Sequence, residues 1–262
     1  LLGGNYMKNW LQENNWEEAK ELIKKSKGVA IIPVGSTEQH GLHLPVGTDT
    51  YIAITLAEDA ALKTNALIVP PLWFGWSPHH MVLPGTITIR PEILSEYLFD
   101  IVKSLSVHGI KKFLLINGHR IVNVIWMQLT AEKAQRELDV EIKIFDPAYM
   151  SKDIVKELGF GPVGHAEEIE SSHMLYRYEN LVQIDKAADN PIEEKELYSV
   201  DPSYSHDTLC YVPTSVKSAR KNAEKAGGVT GEPTKSSRDK GKIYHEHLVK
   251  NLVKVINQLQ NS

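Results

Sequence analysis

Two stretches of the sequence bring imidazole and carboxylate side chains together just after apolar segments. The residues concerned are Glu38, His40, His43, Asp49 and His119. The first four follow the apolar run 29–34, and the last follows the apolar run 112–116. Imidazoles and carboxylates are ligands that Zn²⁺, Mn²⁺ and Fe²⁺ take in proteins. Any one of these residues would pass for an ordinary loop residue, but their grouping at two segment ends indicates a metal site.

The cluster contains the parts that a pair of ions needs, namely one bridging carboxylate and further ligands for each ion. Glu38 and His40 stand two residues apart, so an extended backbone would direct both side chains to one side. Asp49 is a candidate bridge, although it would equally serve as the cap of the helix that follows. Two divalent ions about 3.5–4 Å apart can hold hydroxide and polarise a carbonyl. These residues alone do not specify the reaction.

The cluster requires a fold that places two strand ends side by side. The runs 29–34 and 112–116 are continuously apolar, which is typical of parallel strands buried on both faces. Further strands are predicted at 66–69 and 140–145, with helices between them. Repeated βα units predict an α/β fold of three layers, a mostly parallel sheet with helices on both faces. In such sheets, sites lie just beyond the C-terminal ends of the strands, where the cluster is found.

Helix signals fill the intervals between the strands. Asn15 is placed to cap a helix that runs to about Lys25, and Pro91 suits the first position of a helix that runs to about Val107. Further helices are predicted over 50–62, around 126–134, and over 167–178 and 235–259. The segment 190–233 shows little periodicity and is predicted to be irregular, which is usual for functional or disordered stretches.

The composition is that of one α/β domain, which we expect to span residues 1–262. Of these residues 42% are hydrophobic and 24% are charged, and the net charge is −4. No basic stripe suggests nucleic acid, and no apolar run suggests a membrane span. The single cysteine, Cys210, is expected to be a buried thiol rather than a nucleophile. Because residues 1–6 lack a signal-peptide pattern and no disulfide is possible within the chain, we expect a cytoplasmic location.

Five segments, in order along the chain, resemble the creatininase family of metal-dependent amidohydrolases. They are GSTEQHGLHLPVGTD at 35–49, VLPGTITI at 82–89, NGHRIVN at 117–123, GHAEEIESS at 164–172 and GGVTGEPTKSSRDKG at 227–241. The first segment is similar to the highly specific family signature that joins Glu-Gln-His-Gly to His-Leu-Pro. The resemblance implies a Rossmann-like creatininase-type α/β fold, and a homo-oligomer that is often a hexamer in this family.

The resemblance also implies two divalent ions per chain, which would be Zn²⁺, Mn²⁺ or Fe²⁺. His40 and His119 would bind one ion and Glu38 the other. Asp49 would bridge the two ions. In this interpretation the first cluster and the NGH segment together form one dinuclear centre.

Two residues of the segment 164–172 have catalytic roles by the same resemblance. His165 would be the acid that protonates the leaving group. Glu170 would lie beside the metals, where it is both a catalytic candidate and a candidate further ligand. A protein that only bound metal would need neither proton-transfer group, so their presence favours an enzyme.

Four features of the sequence depart from the family pattern. Val122 stands where creatininase has a metal-binding carboxylate, and Arg120-Ile121 replaces the Gly-Gly of other members. Glu167 replaces the glycine of the family's His-Ala-Gly. No tryptophan lies between residues 149 and 164, where creatininase has one that covers its flat substrate. We therefore predict that creatinine is not the substrate.

Candidate substrate-binding residues are those that could offer hydrogen bonds near the cluster, namely His43, His79, His80 and Arg120. His79 and His80 follow an aromatic loop that either lines the pocket or packs on the sheet. Arg120 either binds substrate oxygens or lies at the surface. His206, in the irregular segment, is a weaker candidate for the pocket or for a neighbouring subunit.

The leading interpretation is hydrolysis of a small cyclic substrate at an amide or related C–N bond. The alternative is hydrolytic opening of a C–C bond in a cyclic diketone such as a diketo-inositol. Both use the same metal centre, and a small molecule is the expected partner in either case.

Overall fold

Four parallel strands form the central sheet of the part of the chain that the structure describes. The computed structural model describes residues 8–191, 198–199, 210–211 and 215–262. The strands are β1 (Val29–Val34), β2 (Leu67–Ile68), β3 (Lys112–Asn117) and β4 (Glu141–Phe145), in the order β2-β1-β3-β4. Two short strands, β5 (Tyr198–Ser199) and β6 (Cys210–Tyr211), form a separate parallel pair.

The pairing of β1 with β3 brings the two predicted clusters together. The register pairs Val29 with Lys112 and continues without a shift to Val34 opposite Asn117. Because the strands are parallel and in step, the segments that follow them leave the same edge of the sheet side by side. The continuous burial of β1 agrees with the apolar run that predicted it.

Helices cover both faces of this sheet. They are α1 (Trp16–Lys25), α2 (Thr48–Thr64), α3 (Pro91–Val107), α4 (Val124–Leu138), α5 (Pro147–Met150), α6 (Lys152–Glu157), α7 (Glu168–Arg177), α8 (Val216–Ala226) and α9 (Arg238–Asn261). Asn15 caps α1 in a capping box with Glu18, and Pro91 occupies the first turn of α3, as the sequence predicts. Within the described residues, no helix combines the length and apolarity that a bilayer span requires.

The prediction of an irregular segment over 190–233 is wrong for α8. This helix contains few large apolar residues, and Ala219 and Ala226 are its buried positions. Apolar periodicity therefore gives no signal there, whereas the ends are marked by capping at Ser215 and by left-handed Gly227. The expectations for residues 1–6, for His206 and for the side chain of Cys210 concern parts of the chain outside the described residues.

The sheet separates two apolar cores, because successive strand residues point to opposite faces. On β1, Ile31 joins the core that α2, α7 and α9 cover. Ile32 joins the core that α1, α3 and α4 cover. This three-layer arrangement confirms the predicted fold class, and it leaves the C-terminal edge of the sheet for polar residues.

The contact between α7 and α9 yields a stability prediction. A Cβ atom at Gly241 would lie 1.9 Å from the backbone oxygen of Ser172, so Gly241→Ala must push the two helices apart. We expect the variant to lower the free energy of unfolding by about 1–3 kcal/mol, because neither backbone can yield as a side chain would. Urea denaturation followed by circular dichroism measures the change.

The matched control is Gly161→Ala. There the added Cβ would meet its nearest non-neighbouring atom, Glu168 Oε2, at 3.7 Å, an ordinary contact. Equal stability of the two variants would contradict the close packing of α7 on α9.

Candidate metal centre

Four segments supply the polar side chains at the C-terminal edge of the sheet. They are the segment 35–49 from the end of β1 into the first turn of α2, the loop 73–80 after β2, the turn 118–123 after β3 and the stretch 164–170 that enters α7. All of the predicted metal-binding side chains lie there and are buried, namely Glu38, His40, Asp49, His119 and Glu170. The structure therefore assembles residues that are up to 132 positions apart, from 38 to 170, into one cluster.

Asp49 lies at the centre of the cluster, with one oxygen directed to each of two histidines. Its Oδ1 is 3.1 Å from His40 Nε2, and its Oδ2 is 3.1 Å from His119 Nδ1. Asp49 does not cap the helix, because the N-cap position of α2 is Gly47 and Asp49 lies in the first turn. The two oxygens thus face different ligand groups, as in a bridging carboxylate.

Two of the three groups of close donor atoms among the described residues share Asp49. One group is Glu38, Asp49 and His119, and the other is His40, Asp49 and Glu170. This grouping differs from the division implied by the family resemblance, with both histidines on one ion, and the ligands of each ion stay a prediction. The reason is geometric, since Asp49 lies between the two imidazoles and separates them.

The spacing of these atoms fits metal coordination. His119 Nδ1 lies 3.3 Å from Glu38 Oε1, and His40 Nε2 lies 3.7 Å from Glu170 Oε2. Ligands that bind zinc at about 2.0–2.2 Å in a tetrahedron are about 3.3–3.6 Å apart. Within each group, the donor atoms all lie within 4.8 Å of one another.

Two buried oxygens of the carboxylates Glu38 and Asp49 make no hydrogen bond among the described residues. Glu38 Oε2 accepts from Ser36 Oγ at 3.0 Å and from Ser77 Oγ, whereas Glu38 Oε1 accepts none. Asp49 Oδ2 likewise accepts none. Buried anionic oxygens without donors are costly unless a cation lies beside them. The two serines therefore orient Glu38 so that its unpaired oxygen faces the position of an ion.

The charges of the cluster also favour a bound cation. Burial raises the pKa of Glu38 to about 7. Burial opposes the protonation of His40 and His119, yet the surrounding carboxylates raise their pKa values to about 10 and about 9. Protons on the imidazoles thus balance the buried acids when no metal is present. Divalent ions would replace those protons, which is the usual competition at a histidine and carboxylate site.

His165 presents one ring nitrogen to the cluster. Its Nε2 lies 2.5 Å from the backbone oxygen of Gln39, and a carbonyl oxygen only accepts, so Nε2 carries the proton. Its Nδ1 lies 3.6 Å from Glu38 Oε1. Burial, and then the charge of His40, hold the pKa of His165 well below its usual value. The neutral ring therefore directs an unprotonated Nδ1 toward the candidate metals.

His80 and Gln39 form a second support beside Glu38. Gln39 Oε1 accepts from the backbone N–H of Gly41, so its amide nitrogen faces His80 Nδ1 at 2.8 Å. His80 Nε2 then carries the proton and lies 3.4 Å from Glu38 Oε1. The His80 ring stacks on His165, with 3.9 Å between ring centres.

The remaining substrate-binding candidates lie at three different positions around the cluster. His43 is buried, and its Nε2 lies 2.9 Å from Ser171 Oγ. His79 stacks on His119 with 6.2 Å between ring centres and 9° between planes. Arg120 is buried and contacts Glu167 and Glu170, so its alternative placement as a surface residue is wrong. Substrate contact by these residues stays a prediction.

Sequence reasoning missed three supporting residues, Ser36, Gln39 and Ser77. Ser36 and Gln39 belong to the first family-like segment, and their positions beside Glu38 were an available signal. Ser77 lies in the loop that precedes His79, and only the tertiary contact with Glu38 reveals its role.

An α/β sheet with imidazole and carboxylate donors at its C-terminal edge defines a class of metal-dependent enzymes. The chain belongs to the creatininase family, because residues 12–256 match the family model described as creatinine amidohydrolase. This match confirms the predicted family and the prediction of a hydrolase.

Two curated relatives show the range of the family. The chain is 32% identical over 189 residues to the 3-dehydro-scyllo-inosose hydrolase of Thermotoga maritima. This match covers 69% of this chain and 60% of that protein. The chain is 27% identical over 212 residues to the creatinine amidohydrolase of Pseudomonas putida, and this match covers 73% of this chain and 81% of that protein. The manganese form of a creatininase superposes with a TM-score of 0.80 at 25% identity, over 96% of this chain and 98% of the other.

Proposed function

We propose that this protein is a dinuclear metal-dependent hydrolase that acts on a small cyclic substrate. The observation that carries the proposal is the arrangement of Asp49, whose two oxygens address two separate donor groups. Two divalent ions, Zn²⁺, Mn²⁺ or Fe²⁺, would be held by Glu38 and His119 on one side and by His40 and Glu170 on the other. When bound, such ions polarise a carbonyl and lower the pKa of water.

The protein's own residues supply orientation and proton transfer. Ser36 and Ser77 fix one oxygen of Glu38, which leaves the other free for its ion. His165 is fixed by the Gln39 carbonyl, so its Nδ1 is available to take a proton from the attacking water. The same nitrogen would then return that proton to the leaving group, because the ring has no other free nitrogen. His165 is thus first a base and then the acid that the family resemblance implies.

The leading substrate class is a cyclic amide or a related compound with a C–N bond, as the name of the Pseudomonas putida relative suggests. The second candidate is the C–C bond of a cyclic diketone. It is supported by the Thermotoga maritima relative, whose name describes a keto-inositol substrate. Incubation of the metal-loaded protein with creatinine, formamide-type compounds and keto-inositols, followed by mass spectrometry, distinguishes them by their products. Ring opening adds one water in either case, so the product must be identified as well as weighed. An open-chain product with a new carboxylate and a new N–H group supports C–N cleavage of a cyclic amide, release of an amine supports cleavage of a formamide-type compound, and an open-chain keto acid supports C–C cleavage.

We expect creatinine itself to be a poor substrate. The segment 149–164 contains no tryptophan to cover a flat ring, and the histidines near the site favour an oxygen-rich ligand. A site built to hydrogen-bond hydroxyls strongly rejects analogues that lack them, because its donors are left unpaired. The measurement is kcat/KM for creatinine with the metal-loaded enzyme. A value of about 10⁴ M⁻¹s⁻¹ or more, the ordinary enzyme range, would restore creatinine as the leading candidate.

Two further features stay predictions of the family resemblance and of the composition. We expect a homo-oligomer, specifically a hexamer, and a cytoplasmic location. Light scattering at micromolar protein concentration measures the first, and a monomeric mass would refute it.

A further inference from the structure

A buried guanidinium serves two carboxylates at the edge of the candidate metal centre. Arg120 Nη2 lies 2.8 Å from Glu167 Oε1 and 2.7 Å from Glu170 Oε1. Arg120 Nε also donates to Glu170 Oε1, at 3.2 Å. The three side chains are 1–5% exposed, so these contacts are little screened by water.

The contacts of Glu170 leave one direction open. Its Oε1 accepts the Nε–H of Arg120 and lies 2.7 Å from Arg120 Nη2, and its Oε2 accepts the backbone N–H of Ala166 at 2.7 Å. A carboxylate offers about four acceptor positions. The remaining one is on Oε2, which lies 3.7 Å from His40 Nε2 and belongs to the group of His40, Asp49 and Glu170. The carboxylate is therefore held from behind and faces the centre with one oxygen.

Glu167 neutralises the guanidinium that holds Glu170. Without Glu167, Arg120 would place a full positive charge beside the ion and would compete with it for Glu170. Glu167 is itself held closely, because a Cβ atom at Gly231 would lie 2.4 Å from Glu167 Cβ. Arg120 and Glu167 thus form a pair of opposite charges, and Arg120 reaches Glu170 through its Nε and Nη2 atoms.

We infer that Arg120 and Glu167 are positioning residues, a clamp that holds Glu170 as a ligand of the second ion, the one at His40 and Asp49. The inference rests on the proposed dinuclear function. It assigns a role to Glu167, for which the sequence alone indicates none. Planar Arg120 spans both acids, whereas the ammonium of lysine would hold them only as a point charge.

The test compares Arg120→Lys with the unsubstituted protein in a titration of the metal-free protein with Co²⁺, followed by visible absorption. Lysine keeps the positive charge but lacks the planar, forked group of arginine. If Arg120 acted only through its charge, Arg120→Lys would leave the affinity for Co²⁺ unchanged. The clamp predicts that affinity for the second ion falls by about 10–100-fold, as for other residues that orient metal ligands, while affinity for the first ion is unchanged.

A pair of further variants separates positioning from stability. Arg120→Met leaves Glu167 buried without its cation, so we expect a lower melting temperature. Arg120→Met combined with Glu167→Gln removes both charges, so the melting temperature recovers while the second ion stays weakly bound. Recovery of metal affinity together with stability would overturn the clamp, since the role would then be structural.

The matched control is Arg177→Lys, the same change in an arginine that pairs with Asp59 outside the centre. It should leave both Co²⁺ affinities unchanged. Uptake of two ions with an unchanged second affinity in Arg120→Lys would overturn the clamp alone. Uptake of one ion or none by the unsubstituted protein would overturn the dinuclear proposal and the clamp with it.

Discussion

Replacing Asp49 with alanine is expected to remove both divalent ions from the protein and to abolish hydrolysis. Asp49 has the central position in the cluster, with one oxygen 3.1 Å from His40 and the other 3.1 Å from His119. It is the residue that the two donor groups share as a bridge. Without it, each group keeps two ligands, and the two imidazoles lose the carboxylate between them. Elemental analysis of the purified variant measures the ion content directly.

The Asp49→Ala experiment needs a control for the substitution itself. Asp153→Ala removes an exposed acid from the first turn of α6 and should retain both ions. Asp49→Asn is a second variant that keeps the shape of the side chain and loses its charge, and it should also fail to hold the pair. Full metal occupancy in Asp49→Ala would contradict the bridge and the dinuclear function.

Replacing His165 with alanine is expected to leave the metals and the fold in place while turnover falls by about 10²–10⁴, the usual contribution of a positioned acid or base. Its Nε2–H donates to the Gln39 carbonyl oxygen, and only Nδ1 is directed to the cluster. The structure also allows Nδ1 to act as a ligand, because Glu38, His40 and His165 form a third group of close donor atoms. Steady-state kinetics must therefore be measured together with metal content.

The outcomes for His165→Ala separate the two roles. Lost turnover with full metal content supports proton transfer, and added imidazole should restore part of the rate by filling the space of the missing ring. Loss of one ion would instead identify His165 as a ligand. His108→Ala, at the exposed C-terminal end of α3, is the matched control and should change neither quantity. Near-native turnover of His165→Ala on a substrate with a poor leaving group would contradict the catalytic role.

Local patterns in the sequence were sufficient to predict the sheet and the location of the site. Apolar runs of strand length predicted β1 and β3, since a parallel strand between two helical layers is buried on both faces. Parallel strands in step bring their C-terminal ends together, so the residues after Val34 and after Asn117 had to meet. Helix α8 was missed because its sequence carries too little apolar periodicity for this kind of prediction.

Only the tertiary structure decided how the individual side chains are used. The division of the donors into two groups depends on Asp49 lying between His40 and His119, which no spacing along the chain specifies. The tautomer of His165 is set by a carbonyl 126 residues away. Arg120 is held in the interior by ion pairs with Glu167 and Glu170, which are 47 and 50 residues away along the chain. Hydrophobic periodicity is a local property that can be read from a segment, whereas hydrogen bonds and ion pairs between distant segments depend on how the finished fold brings them together.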